Sequence, residues 1–148
     1  MTNTNDEDNL RRATRKQARA IALQALYETD ASGHEIGIVI QRLTANPEIS
    51  AEVATLARSL VSGVVSRQSD IDNLIAEAAP TWPLSQMARV DKNVLRLAIH
   101  EAFIDNAAGP LRATINGAIE LARTFGSDSS SKFVNGVLAT IAERRPKM

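Results

Sequence analysis

Apolar residues recur at spacings of three and four along nearly the whole chain. Ile36, Val39, Ile40 and Leu43 stand at i, i+3, i+4 and i+7, which lines one face of an amphipathic helix. Val53, Leu56, Ala57, Leu60 and Val64 repeat the spacing, with Ser50 placed to cap. A shorter stripe of Ile71, Leu74, Ile75 and Ala78 follows Ser69 and Asp70, either of which can cap it; Pro80, Trp82 and Pro83 then break the pattern. Val94, Leu95, Ala98, Ala102 and Ile104 face inward from a further helix for which Asp91 is a suitable cap. Ala107, Ala108, Gly109 and Pro110 read as a short turn. Leu111, Ile115, Ala118, Ile119, Ala122 and Phe125 form a long stripe that Gly126 ends. A last helix from about Ser130 carries Phe133, Val134, Val137, Leu138 and Ile141 on one side. No stretch alternates with period two. The pattern predicts an all-α fold of about seven helices, joined by turns short enough for a bundle.

Composition narrows the core. The 148 residues suffice for one domain with a continuous interior, and only 3% are aromatic, so that interior is built mostly from Ala, Leu, Ile and Val. This mixture suits close-packed helices better than strands. The absence of cysteine excludes disulfides, thiolate catalysis and Cys-based zinc sites, and fits a reducing compartment. MTNTNDEDNL is polar and acidic where a signal peptide is basic and then apolar, and no apolar run approaches the ~20 residues that span a bilayer. A soluble cytoplasmic protein, away from membranes, is expected.

Seventeen basic residues balance seventeen acidic ones, yet RRATRKQAR, residues 11–19, gathers five of the basic set. Residues 1–10 read as an acidic polar tail and residues 11–148 as the helical domain. A first helix from about Asn9 to about Asp30 places Arg11, Arg12, Arg15, Lys16 and Arg19 on an arc of roughly 140°. Ala18, Ile21, Ala22, Ala25 and Leu26 anchor a neighbouring arc. Cations in the first turns oppose the helix dipole, at ~0.3–1 kcal/mol each, with Asp6, Glu7 and Asp8 offsetting some of the repulsion. Folding gains little from the arrangement. A charge run is ordinarily a solvated face; the sharper alternative is a nucleic-acid surface. Overall neutrality argues against indiscriminate coating of nucleic acid but allows a local patch. A second basic group closes the chain at Arg144, Arg145 and Lys147.

GSDSSSKFVNGVL, residues 126–138, superficially resembles a phosphate-binding loop, but Ser131 stands where that pattern needs Gly and Phe133 where it needs Ser or Thr. A helix precedes it instead of a strand, which excludes the nucleotide reading. The serines can cap the last helix and leave N–H groups outward for an anion. Lys132 adds a cation, and Phe133 offers a face on which a base could stack, although its spacing also continues the core stripe. Gly136 costs about 1 kcal/mol relative to Ala inside a helix, so close approach of another helix is expected there. His34 and His100 have no partner at metal-ligand spacing, and Asp70 and Asp72 lie in no evident cleft. No nucleophile–base pair, metal cluster or cofactor loop is recognisable, so neither catalysis nor a cofactor is expected.

RKQARAIALQALYETD (15–30), TWPLSQMARVDKNVLRLAIHEAF (81–103) and INGAIELARTFGSDSSSKFVNGVLATIAE (115–143) resemble, in order and spacing, the NusB family of bacterial transcription antitermination factors. KFVNGVL is the most specific part. The resemblance implies two packed helical subdomains and binding of boxA RNA in ribosomal RNA operon transcripts. It also implies a partner, NusE, a small-subunit ribosomal protein, and action within the RNA polymerase antitermination complex without catalysis. Carried over by position, Arg11, Arg12, Arg15, Lys16, Arg19, Lys132 and Phe133 face single-stranded RNA, and Tyr27 and Asp91 fall at NusE contacts. Gly117 replaces a carboxylate common in the family, and Ser129 an Asp. An exposed apolar face would also accommodate a homodimer. The competing classes are a protein-interaction adaptor with a merely solubilising basic helix, an RNA methyltransferase and a helix-turn-helix DNA binder. The helical domain leaves no strands for a methyl donor, and the basic face lacks a clear paired recognition helix.

Overall fold

The computed structural model describes residues 4–105 and 109–144. The turn residues Ala107 and Ala108 and the basic residues Arg145 and Lys147 lie outside them. Seven α-helices are found among the described residues, and no strand: α1 (Thr4–Ser32), α2 (Ile36–Thr44), α3 (Ala51–Ser66), α4 (Gln68–Ala78), α5 (Arg89–Ile99), α6 (Leu111–Phe125) and α7 (Ser130–Arg144). A short 3-10 turn, Leu84–Gln86, precedes α5, and a π turn, His100–Ile104, continues it. No described helix is long and apolar enough to cross a membrane.

The chain divides into two compact units, residues 1–61 and 62–148. In the first, α1 packs on α2. Ala18, Ala22, Leu23, Ala25 and Leu26 of α1 are buried, as are Val39 and Ile40 of α2. Ser50 caps α3 as its position predicts, accepting the N–H of Val53 at 3.2 Å. Gly33 ends α1 in the left-handed region at φ 77°, where its N–H reaches the carbonyl of Thr29 at 2.9 Å.

In the second unit α4, α6 and α7 pack against α5. A single apolar stripe is expected on α5, yet every residue from 93 to 102 is buried, polar ones included. Asn93 and Arg96 are tolerated there because they find partners. Arg96 donates Nε and Nη2 to the two carboxylate oxygens of Asp72 at 2.9 and 3.0 Å, and Nη1 to Asn93 Oδ1 at 3.2 Å. Asn93 in turn donates to the carbonyl of Arg89 at 2.9 Å. Asp72 is thus a clasp between α4 and α5, while Asp70 makes an exposed ion pair with Arg67 at 3.7 Å.

Several helix ends differ from expectation. α5 begins after Ala88, so Asp91 lies inside the first turn instead of capping it. α4 begins after Arg67, which places Ser69 and Asp70 inside as well. α1 starts at Thr4 and not near Asn9, so Asp6 and Glu7 occupy its first turn, where the dipole favours anions. Arg11 then lies well past that turn, and the dipole penalty anticipated for the basic run largely disappears.

Candidate nucleic-acid interface

In the first unit the basic run is part of a continuous helix whose first buried residue is Ala18. Arg11, Arg12 and Lys16 are exposed, and Arg15 and Arg19 are half-buried and engage neighbouring groups, as Lys16 does. The C-terminal half of α1 is fixed by apolar burial and by Glu28, whose carboxylate pairs with Arg42 of α2 and lies 3.4 Å from His34 Nδ1. The hydrogen bond from Arg42 holds the Glu28 carboxyl below its usual range, with His34 adding to the effect. His34 is therefore an exposed neighbour of a carboxylate. Tyr27, further along α1, is 40% exposed.

In the second unit the other expected contacts stand at the start of α7. The serines ahead of it bond mainly to one another. The N–H of Ser127 donates to Ser130 Oγ at 2.9 Å, and Ser127 Oγ lies 3.3 Å from Ser129 Oγ and 3.2 Å from Ser130 Oγ. Ser130 donates its own N–H to the carbonyl of Ser127 at 3.1 Å, so that group is not presented outward. The loop is drawn tight, and a Cβ on Gly126 would overlap the buried Ser130 side chain. Lys132 is exposed and Phe133 half-buried, so the ring is neither sealed in the core nor fully in water. Gly136 is exposed, and a methyl added there would have no neighbour within 4 Å, so the expected close helix approach does not exist.

Trp82 is the feature that helical periodicity misses. In the sequence it stands as part of a helix break and inside a family-like segment with no role attached, yet it is 53% exposed and its ring centroid lies 6.2 Å from that of Phe133, with the planes at 50°. Its spacing carries no signal because it sits in an irregular segment, and only its contact partner, far along the chain, reveals it. Asp91 is largely covered, at 7% exposure, and its Oδ1 makes no hydrogen bond. His100 is buried in the π turn with Nδ1 unpartnered. Among the described residues no group of three or more His, Cys, Asp and Glu could hold a metal ion.

A family model described as the NusB family matches residues 16–143. The transcription antitermination protein NusB of Chloroflexus aggregans is 48% identical over 131 residues, covering 88% of this chain and 87% of that protein. Among solved structures, T. maritima NusB superposes with a TM-score of 0.82 at 30% identity, covering 88% of this chain and 92% of that one. A chain from a crystal structure of the antitermination factors NusB and NusE in complex with dsRNA superposes with a TM-score of 0.79 over 89% of this chain and 98% of that one. At 24% identity it shares the fold.

Proposed function

The chain belongs to the NusB family, and from that membership we propose that it is a transcription antitermination factor binding boxA-type RNA of ribosomal RNA operon transcripts together with NusE. The observation that carries this reading is the exposure of Arg11, Arg12 and Lys16 on one helix that Ala18, Ala22, Leu23, Ala25 and Leu26 anchor. Phosphates of the RNA meet these cations together with Arg15 and Arg19. Lys132 and Phe133 contribute from the second unit, the ammonium to a phosphate and the ring to the stacking of a base. Single strands suit such a site because their unstacked bases are reachable, whereas an A-form duplex hides its edges in a deep groove. Tyr27 and Asp91 are the proposed NusE contacts; the tyrosine is accessible, and Asp91 meets its partner through the small part of its surface left open.

The protein acts in the cytoplasm as part of the RNA polymerase antitermination complex and as a binder, without a reaction of its own. A neutral chain with one basic run has limited electrostatic pull, so NusE supplies much of the affinity by extending the RNA surface. Titration of a single-stranded boxA-type oligonucleotide, with and without NusE and against a scrambled strand and a duplex of the same sequence, tests the reading. Preference for the boxA strand, strengthened by NusE, is expected. Equal binding to the boxA and scrambled strands would overturn boxA recognition, and binding to neither would favour a protein adaptor whose basic helix serves only solubility.

A further inference from the structure

Trp82 is the chain's one tryptophan, and the fold spends little of it on the core. Its backbone is fixed on both sides. The Trp82 N–H donates to the carbonyl of Ala79 at 3.1 Å, Pro80 and Pro83 restrict the neighbouring dihedrals, and the 3-10 turn that follows ends at the buried Met87. The indole is thereby held half in water against Phe133 at the start of α7, in a chain poor in aromatic residues. A large ring held half-exposed by a rigid segment is a preformed contact area that loses little side-chain entropy on binding.

We propose that Trp82 and Phe133 together form a stacking platform for a base of the bound RNA, with Trp82 supplying the outer face. This rests on the RNA-binding reading above and adds to it a residue that neither the basic run nor KFVNGVL contains. The base stacks on the open side of the indole and not between the rings. Sandwiching a base needs parallel planes about 7 Å apart, two van der Waals separations, whereas these rings lie 6.2 Å apart and tilted by 50°. Phe133 buttresses the indole from behind, and the exposed ammonium of its neighbour Lys132 favours a polyanion over an apolar peptide. Every base has a π face, so the platform contributes affinity with little sequence preference.

Because there is no other tryptophan, emission excited at the red edge of the indole band, where Tyr27 does not absorb, reports on Trp82 alone within this chain. Unlabelled boxA-type RNA is titrated into the protein, with and without NusE, while emission is followed; anisotropy of a labelled strand gives the binding curve independently. Quenching that saturates along the anisotropy curve is expected. Trp82→Ala is expected to weaken RNA binding roughly 5- to 150-fold, as loss of one base–aromatic stack does, and Trp82→Phe to restore most of it. RNA binding with unchanged emission and an unaffected Trp82→Ala variant overturns the platform and leaves the RNA reading standing. Wild-type protein that binds no RNA overturns both. A Trp82→Ala variant that loses NusE but keeps RNA assigns the ring to a protein contact and also overturns the platform. Should that variant lose its helical circular dichroism, the wild-type quenching and the Trp82→Phe affinity decide.

Discussion

Gly63 of α3 and His100 at the start of the π turn pack so closely that a β-carbon on residue 63 would overlap the imidazole. The ring is buried, its Nδ1 makes no hydrogen bond, and burial holds its pKa below the ordinary value. The carboxylates of Asp105 and Glu101 act in the opposite direction without cancelling that effect. The unfolded chain therefore takes up a proton at about pH 6.5, while the folded chain resists it to lower pH. The contribution of this site to stability is complete above that value and falls as pH drops below it. Thermal unfolding from about pH 8 to about pH 5 is expected to show this loss, and His100→Gln to reduce it. Gly63→Ala is expected to cost about 1–3 kcal/mol through overpacking, read from urea unfolding.

The Asp72–Arg96 clasp gives a second expectation. The side chain of Arg96 is 10% exposed and that of Asp72 27%. Asp72→Ala leaves a nearly covered guanidinium without its bidentate partner. A loss of about 3 kcal/mol is expected, the low end for a broken buried pair because Asp72 is partly in water. Replacing both residues with apolar ones of similar size should recover most of it. Denaturant melts of the two single variants and the double variant measure the coupling.

Gly136→Ala should act in the opposite direction. Its site is open and helical, so the methyl meets nothing and the unfolded chain loses entropy. A gain of about 0.5–1 kcal/mol is expected in stability, read from the urea midpoint.

Charge reversal at Arg15 and Lys16 separates RNA binding from adaptor function. RNA affinity is expected to vanish while NusE binding, measured by calorimetry, persists. For the wild-type chain, neutralising about four phosphates gives a slope of log K against log[salt] near −3. A slope near zero would contradict the phosphate contacts.

The periodicity of apolar residues located all seven helices, because amphipathic stripes follow directly from burial on one side. Helix starts were less legible. Asp91, Ser69 and Asp70 all have capping chemistry, but that chemistry serves equally well inside a first turn, and tertiary packing chose the earlier start. Seeing that α5 would be covered all round required knowing that Asp72, 24 positions from Arg96, would neutralise it. The basic run was visible as composition, and Lys132 and Phe133 through a family motif. Trp82 lay in a family-like segment too, but its role did not show, since an irregular segment has no period from which to infer a neighbour.

Residues 4–17 of α1 are exposed or half-exposed throughout, so no apolar burial fixes this stretch and it extends as a helix from the anchored turns beginning at Ala18. Its length is near the margin at which a peptide holds a helix alone in water. Glu7 and Asp8 stand four residues before Arg11 and Arg12, a spacing whose ion pairs support a helix and weaken with salt. Rising ionic strength therefore acts twice on this element, screening its attraction for a polyanion and weakening the charge spacing that supports the rod aligning its cations. Amide exchange over residues 4–17 should accelerate with salt while residues 18–32 stay protected.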